Sequence, residues 1–124
     1  MRRPLLALIA LLALSAPAFA DELSDAKAAI ADAKLSAETD LDMWCGAAFT
    51  ITSAATTDAD AKKTADDLMN ALFAKAAPLL TKDGVADGDL GKFGTYYAVV
   101  VKSQIVDQAE APAHTQEECT DAAK

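Results

Sequence analysis

Cys45 and Cys119 are the two residues of this chain whose types most directly suggest covalent chemistry. A redox-active thiol needs a lowered pKa and usually a second cysteine close by in the sequence. Neither cysteine has such a neighbour, and acidic residues near each of them raise a thiol pKa. We therefore predict a structural disulfide between Cys45 and Cys119. Closing so long a loop is worth about 4 kcal/mol in the chain-entropy model.

The sequence does not predict a metal site. Two cysteines and the single histidine, His114, are too few for the four ligands of a zinc centre. The loop 83–89 resembles the middle of an EF-hand at Asp87-Gly88. However, Val85 and Gly94 stand at the third and twelfth positions, where calcium needs oxygen ligands. We interpret this loop as a polar turn between helices.

The other polar residues do not form a catalytic set. Acidic pairs fall at helix caps or on polar helix faces, where they suit the helix dipole. These pairs are Asp58/Asp60, Asp66/Asp67 and Glu117/Glu118. The single histidine, His114, lies in a connector, and the sequence has no nucleophile elbow and no phosphate-binding glycine loop. We therefore predict no catalytic residue, no cofactor and no enzyme activity.

Phe93, Tyr96 and Tyr97 form the densest aromatic cluster and are the candidate binding patch. Adjacent residues of a helix point about a quarter-turn apart, so one tyrosine is expected in the core and the other near a surface. The alternative is an aromatic pair that belongs to the core.

The N-terminal segment 1–20 has the three-part layout of a secretory signal peptide. Arg2 and Arg3 are followed by an apolar run at 5–14, which is too short to span a bilayer, and by Ala18-Phe19-Ala20. Cleavage is predicted after Ala20. The sequence therefore predicts one domain, residues 21–124, in the periplasm or outside the cell, where disulfides persist.

The charge balance limits the partners of this domain. The chain has 19 acidic residues against 11 Lys and Arg, and both arginines lie in the predicted signal peptide. An acidic surface without arginine argues against nucleic acid and against anionic lipid. No second apolar stretch could cross a membrane. A protein or small ligand is the expected partner, and a basic one is compatible with this charge.

Apolar residues recur at helical spacing along most of residues 21–124. One segment covers 21–35 and the next 36–55, with Ser36 as a candidate cap, and the pattern allows either one helix or two. A third helix is predicted to start at Thr57–Asp60. It is expected to kink or break near Ala77, before Pro78, and to stop at Gly84.

The C-terminal part continues this pattern. Tyr96–Val101 is β-branched and aromatic, but the apolar period from Leu90 to Ile105 favours a helix over a strand. Thr115–Glu118 is a capping box, which predicts a short helix holding Cys119. The predicted fold is all-α: a small up-and-down bundle of three main helices plus short N- and C-terminal helices, stapled by one disulfide.

These features favour a small exported protein that acts by binding a protein or a small ligand, without covalent chemistry. The alternative is a periplasmic acid or stress chaperone. Export, small size, helices, Trp44 beside Cys45 and one long-range disulfide resemble features of acid-stress chaperones, although no run of residues places the chain in that family. An enzyme is the least favoured of the three hypotheses.

Overall fold

The computed structural model describes residues 21–124, so the predicted signal peptide lies outside the described residues. Within this range the chain is all-α without strands, as the sequence predicts, and residues 96–101 are helical. Three long helices are flanked by two others, and a 3-10 turn precedes α4. The helices are α1 (residues 21–33), α2 (Ala37–Ala55), α3 (Ala59–Lys82), α4 (Leu90–Ile105) and α5 (Gln116–Ala122).

Residues 21–55 form two helices rather than one. Lys34 has a left-handed backbone with φ of 52°, which ends α1. Ser36 then caps α2, because its side chain accepts a hydrogen bond from the Thr39 N–H. The apolar period allows either one helix or two in this segment. The structure has two, and they separate at Lys34, although lysine is not a residue type typical of a helix end.

Helix α3 begins one residue later than a Thr57 cap implies, because Asp58 supplies the cap by accepting from the Ala61 N–H. Of the kink or break predicted near Ala77, the break does not occur, since α3 continues through Pro78 to Lys82. Leu80 is buried in the core and holds this last turn in place. The helix ends as predicted, with Gly84 at a φ of 94°.

Helix α2 is the centre of the bundle. Its residues 42–47 are all buried, because α3 and α4 pack on different sides of it and α5 covers a further part. Gly46 permits the contact with α3, since a Cβ there would lie 2.5 Å from the Phe73 ring. Cys45 and Cys119 form the predicted disulfide between α2 and α5, with their Cα atoms 5.2 Å apart.

The start of α2 is also tied to the loop after α3. The Asp83 carboxylate accepts hydrogen bonds from the Ser36 N–H at 3.0 Å and from the Thr39 hydroxyl at 2.6 Å. These bonds, with that from Thr39 the strongest, lower the pKa of Asp83. Asp83 therefore closes the α3–α4 loop onto α2, where the dipole of the helix favours a negative charge.

Candidate functional site

An apolar cleft of about 480 Å³ lies beside the disulfide. One wall is a face of α2, where Trp44, Ala48 and Thr52 follow one another at four-residue spacing. The other wall combines the end of α4, the connector (residues 106–115) and α5. The remaining lining residues are Phe49, Ile105, Pro112, His114, Thr115, Gln116 and Cys119. We call this site the disulfide cleft.

Gln104 fixes both walls of the disulfide cleft relative to each other. Its side-chain carbonyl accepts from Trp44 Nε1 at 2.9 Å and from the Ala113 N–H at 3.0 Å. Gln104 and Trp44 are both buried, so that these hydrogen bonds satisfy polar groups that would be costly to leave unpaired. The indole and the connector are therefore held in one geometry.

His114 places the connector against α2. Its ring packs edge-on against Trp44, with ring centroids 5.4 Å apart. Nε2 lies 3.3 Å from Asp40, and Nδ1 lies 3.3 Å from Glu118. The hydrogen bond with His114, followed by that from the Thr115 N–H, lowers the pKa of Glu118. Because both ring nitrogens face carboxylates, neither is open to a molecule in the cleft.

Asp40 continues this network into the core. It accepts a 2.6 Å hydrogen bond from the Tyr97 hydroxyl, which burial and this carboxylate hold above its ordinary pKa. A chain of hydrogen-bonding groups thus runs from Tyr97 through Asp40 and His114 to Glu118. Each group in this chain contacts the next, and this arrangement orients the connector rather than activating a nucleophile.

The predicted aromatic patch is divided by the fold. Phe93 and Tyr97 are buried, and Tyr96 is half-buried, packed edge-on against Phe93 with ring centroids 5.6 Å apart. Tyr96 lines a cavity of about 500 Å³ between α4 and α1, together with acidic residues of α1 such as Asp25. The three side chains therefore do not form one continuous exposed surface.

The predicted acidic pairs serve local structure. Asp58 caps α3, Asp66 accepts from the Ser53 hydroxyl, and Asp67 pairs with Lys63 at 2.8 Å. Glu118 completes the capping box of α5 with Thr115, as predicted. Within residues 21–124, no three His, Cys, Asp or Glu side chains are grouped as metal ligands would be.

Among the described residues, one carboxylate oxygen is buried without a hydrogen bond. Asp42 of α2 is 3% exposed, and its Oδ2 has no partner among the described residues. Burial raises the pKa of Asp42, Lys75 opposes this shift and Glu38 adds to it. Lys75 itself donates a 2.6 Å hydrogen bond to the Ala122 carbonyl of α5. Asp42 therefore destabilises the fold when it is ionised.

The sequence did not point to the disulfide cleft, although it drew attention to several of its residues. Three of them stand out in the sequence for different reasons and lie in different elements, namely Trp44, Cys119 and His114. Gln104 carried no signal, because a single polar residue at the end of an apolar stripe is common. Its position on the buried face of the α4 period is the one feature that could have indicated a core hydrogen bond.

Comparison of the chain with protein-family models, with curated proteins and with solved structures gives no match. Among the described helices, none combines the length and the apolar character that a membrane crossing needs. We therefore infer the function from the residues of the site.

Proposed function

We propose that the protein is a small exported binding protein that holds an apolar ligand in the disulfide cleft and performs no covalent chemistry on it. The observation that carries this proposal is the cleft itself. It has about 480 Å³ of space, and its walls are formed mainly by aromatic and aliphatic side chains. Sites for small molecules have this size and character.

The construction of the walls supports the proposal. Trp44 is fixed by Gln104, the connector is fixed by Gln104 and His114, and α5 is fixed by the disulfide. A site whose walls are already ordered loses little conformational freedom when a ligand binds. The disulfide and the predicted signal peptide together support export.

A dye titration tests the proposal. N-phenylnaphthylamine is apolar and uncharged, and it becomes fluorescent when it leaves water. Trp44 is the single tryptophan of the chain and lines the cleft, so energy transfer from it reports a dye bound nearby. We expect saturable binding with quenching of the Trp44 emission.

Two matched variants locate the bound dye. Ala48→Leu fills the cleft from α2, whereas Ala77→Leu makes the same change in a separate groove of about 280 Å³ beside Phe73 and Leu80. We expect Ala48→Leu to weaken binding about tenfold and Ala77→Leu to leave it nearly unchanged. Equal effects of both variants, or no binding by the parent protein, would contradict the proposal, provided that circular dichroism shows both variants folded.

A further inference from the structure

Carboxylates adjoin the disulfide cleft, although none belongs to its lining set. Asp40 and Glu118 lie on either side of His114, a lining residue, and Asp40 also lines a neighbouring cavity with Lys27. Glu118 accepts from the Thr115 N–H and hydroxyl, and Thr115 is itself a lining residue. The lining set contains no lysine and no arginine, and His114 is its one ionisable side chain. The carboxylate nearest the cleft is therefore that of Glu118, which contacts two of the lining residues.

The chain segment that supplies five of the lining residues is itself acidic. From Val106 to Ala123 the chain has five acidic residues and no lysine or arginine, and each of the five is exposed. Glu110 is paired with Lys27 of α1 at 2.5 Å, and Asp121 lies 3.2 Å from Lys124. The five are Asp107, Glu110, Glu117, Glu118 and Asp121.

The aromatic walls also favour a cation. Trp44 and Phe49 both line the cleft. An aromatic face attracts a positive group, and quaternary ammonium ions in particular bind among aromatic side chains. This preference is independent of the carboxylates, because it arises from the ring quadrupole. Two different features of the walls thus select the same sign of ligand charge.

Building on the proposed function, we infer that the ligand of the disulfide cleft is a cationic amphiphile. Its apolar body occupies the space between Trp44, Phe49 and Ile105, and its positive group lies at the edge formed by His114, Thr115 and Glu118. An anionic amphiphile of the same size finds no basic side chain in the lining set. The cleft therefore discriminates between ligands by their charge as well as by their apolar area.

Displacement of the dye by two amphiphiles with the same alkyl chain tests this inference. Decyltrimethylammonium and decyl sulfate are compared below their micelle concentrations. We expect the ammonium compound to displace the dye at about a tenth of the sulfate concentration in low salt, with a smaller difference as salt screens the charges. Equal displacement, or preference for the sulfate, would overturn the inference about charge.

Two variants of neighbouring glutamates sharpen the test. Glu118→Gln removes the charge at the cleft but keeps the capping box, in which Gln can replace Glu. Glu117→Gln removes the same charge from the same helix turn, at a residue that makes no hydrogen bond to His114 or Thr115 among the described residues. We expect Glu118→Gln to reduce the preference for the ammonium about fivefold and Glu117→Gln to change it less than about twofold. Equal reductions by both variants would overturn the role of Glu118.

The outcomes distinguish a failure of the proposed function from a failure of the inference about ligand charge. If neither amphiphile displaces the dye from the parent protein, or if Ala48→Leu leaves displacement unchanged, the proposed function itself fails. If displacement depends on Ala48 but not on the charge of the amphiphile, the cleft binds apolar ligands and only the inference about charge fails.

Discussion

Replacing Asp42 by Asn should stabilise the protein at neutral pH. Asp42 is 3% exposed, and its Oδ2 has no hydrogen-bond partner among residues 21–124. An unsatisfied buried polar group costs about 1–3 kcal/mol, and more when it is charged. Lys75 offsets part of this cost and Glu38 adds to it. We expect Asp42→Asn to raise the free energy of unfolding by about 1–2 kcal/mol at pH 7.

The pH dependence distinguishes this cause from a general effect of the substitution. Because burial raises the pKa of Asp42 in the folded state, the stability linked to its protonated form is fully present below the ordinary pKa of 3.8 and is lost as the pH rises through the folded-state value. The advantage of Asn over Asp should therefore be greatest near neutral pH and should shrink toward pH 3.

Urea denaturation at several pH values, followed by Trp44 emission, measures this difference. Asp107→Asn serves as the control, because Asp107 is exposed and the substitution makes the same change in net charge. A thermal scan should show Asp42→Asn melting several degrees above the parent, since about 1 kcal/mol corresponds to roughly 4–8 °C in a domain of this size class. A loss of stability at neutral pH, or a gain that persists unchanged in acid, would refute the reasoning.

Three further variants test other features of the fold by denaturation. Gly46→Ala should cost about 1–3 kcal/mol because the new methyl group collides with the Phe73 ring, and Phe73→Leu should recover part of that loss. Replacing Cys45 and Cys119 together by Ser should cost about 2–4 kcal/mol; an unchanged urea midpoint would show that the disulfide contributes no stability. Asp83→Asn should destabilise the protein at pH 7. The deficit should close as the pH falls below about 4, because the hydrogen bonds that lower the pKa of Asp83 stabilise the parent only while the carboxylate is charged. A deficit that persists in acid would point to a cause other than this charge.

Local residue patterns predict several of the helix ends. Ser36, Gly84 and the Thr115–Glu118 box each act through the backbone of their own turn, so that the neighbouring residues suffice to predict them. Lys34 carries no such signal, because lysine is not a residue type that favours a left-handed backbone. The continuation of α3 through Pro78 is likewise not visible in the local sequence, whereas the structure shows Leu80 of the last turn buried in the core.

Local residue patterns could not predict the candidate site. Trp44 and Gln104 are 60 residues apart, and Asp40 and His114 are 74 residues apart. Nothing in the local pattern around either partner specifies the other. The sequence shows His114 only as a residue of a connector, whereas in the structure its side chain is 18% exposed and lies between two carboxylates. Such pairings follow from tertiary packing, and the predicted disulfide was the single long-range link that residue types could suggest.

The position of α5 in the chain has a consequence for the order of events during synthesis. A polypeptide is made from its N-terminus, so Cys45 is available long before Cys119, which follows it by 74 residues. Until α5 arrives, Trp44 and Phe49 lack the second wall that covers them, and Cys45 carries a free thiol. In a nascent chain the disulfide cleft is therefore incomplete even when the three long helices have formed. Under the proposed function, ligand binding begins only once α5 has packed against α2.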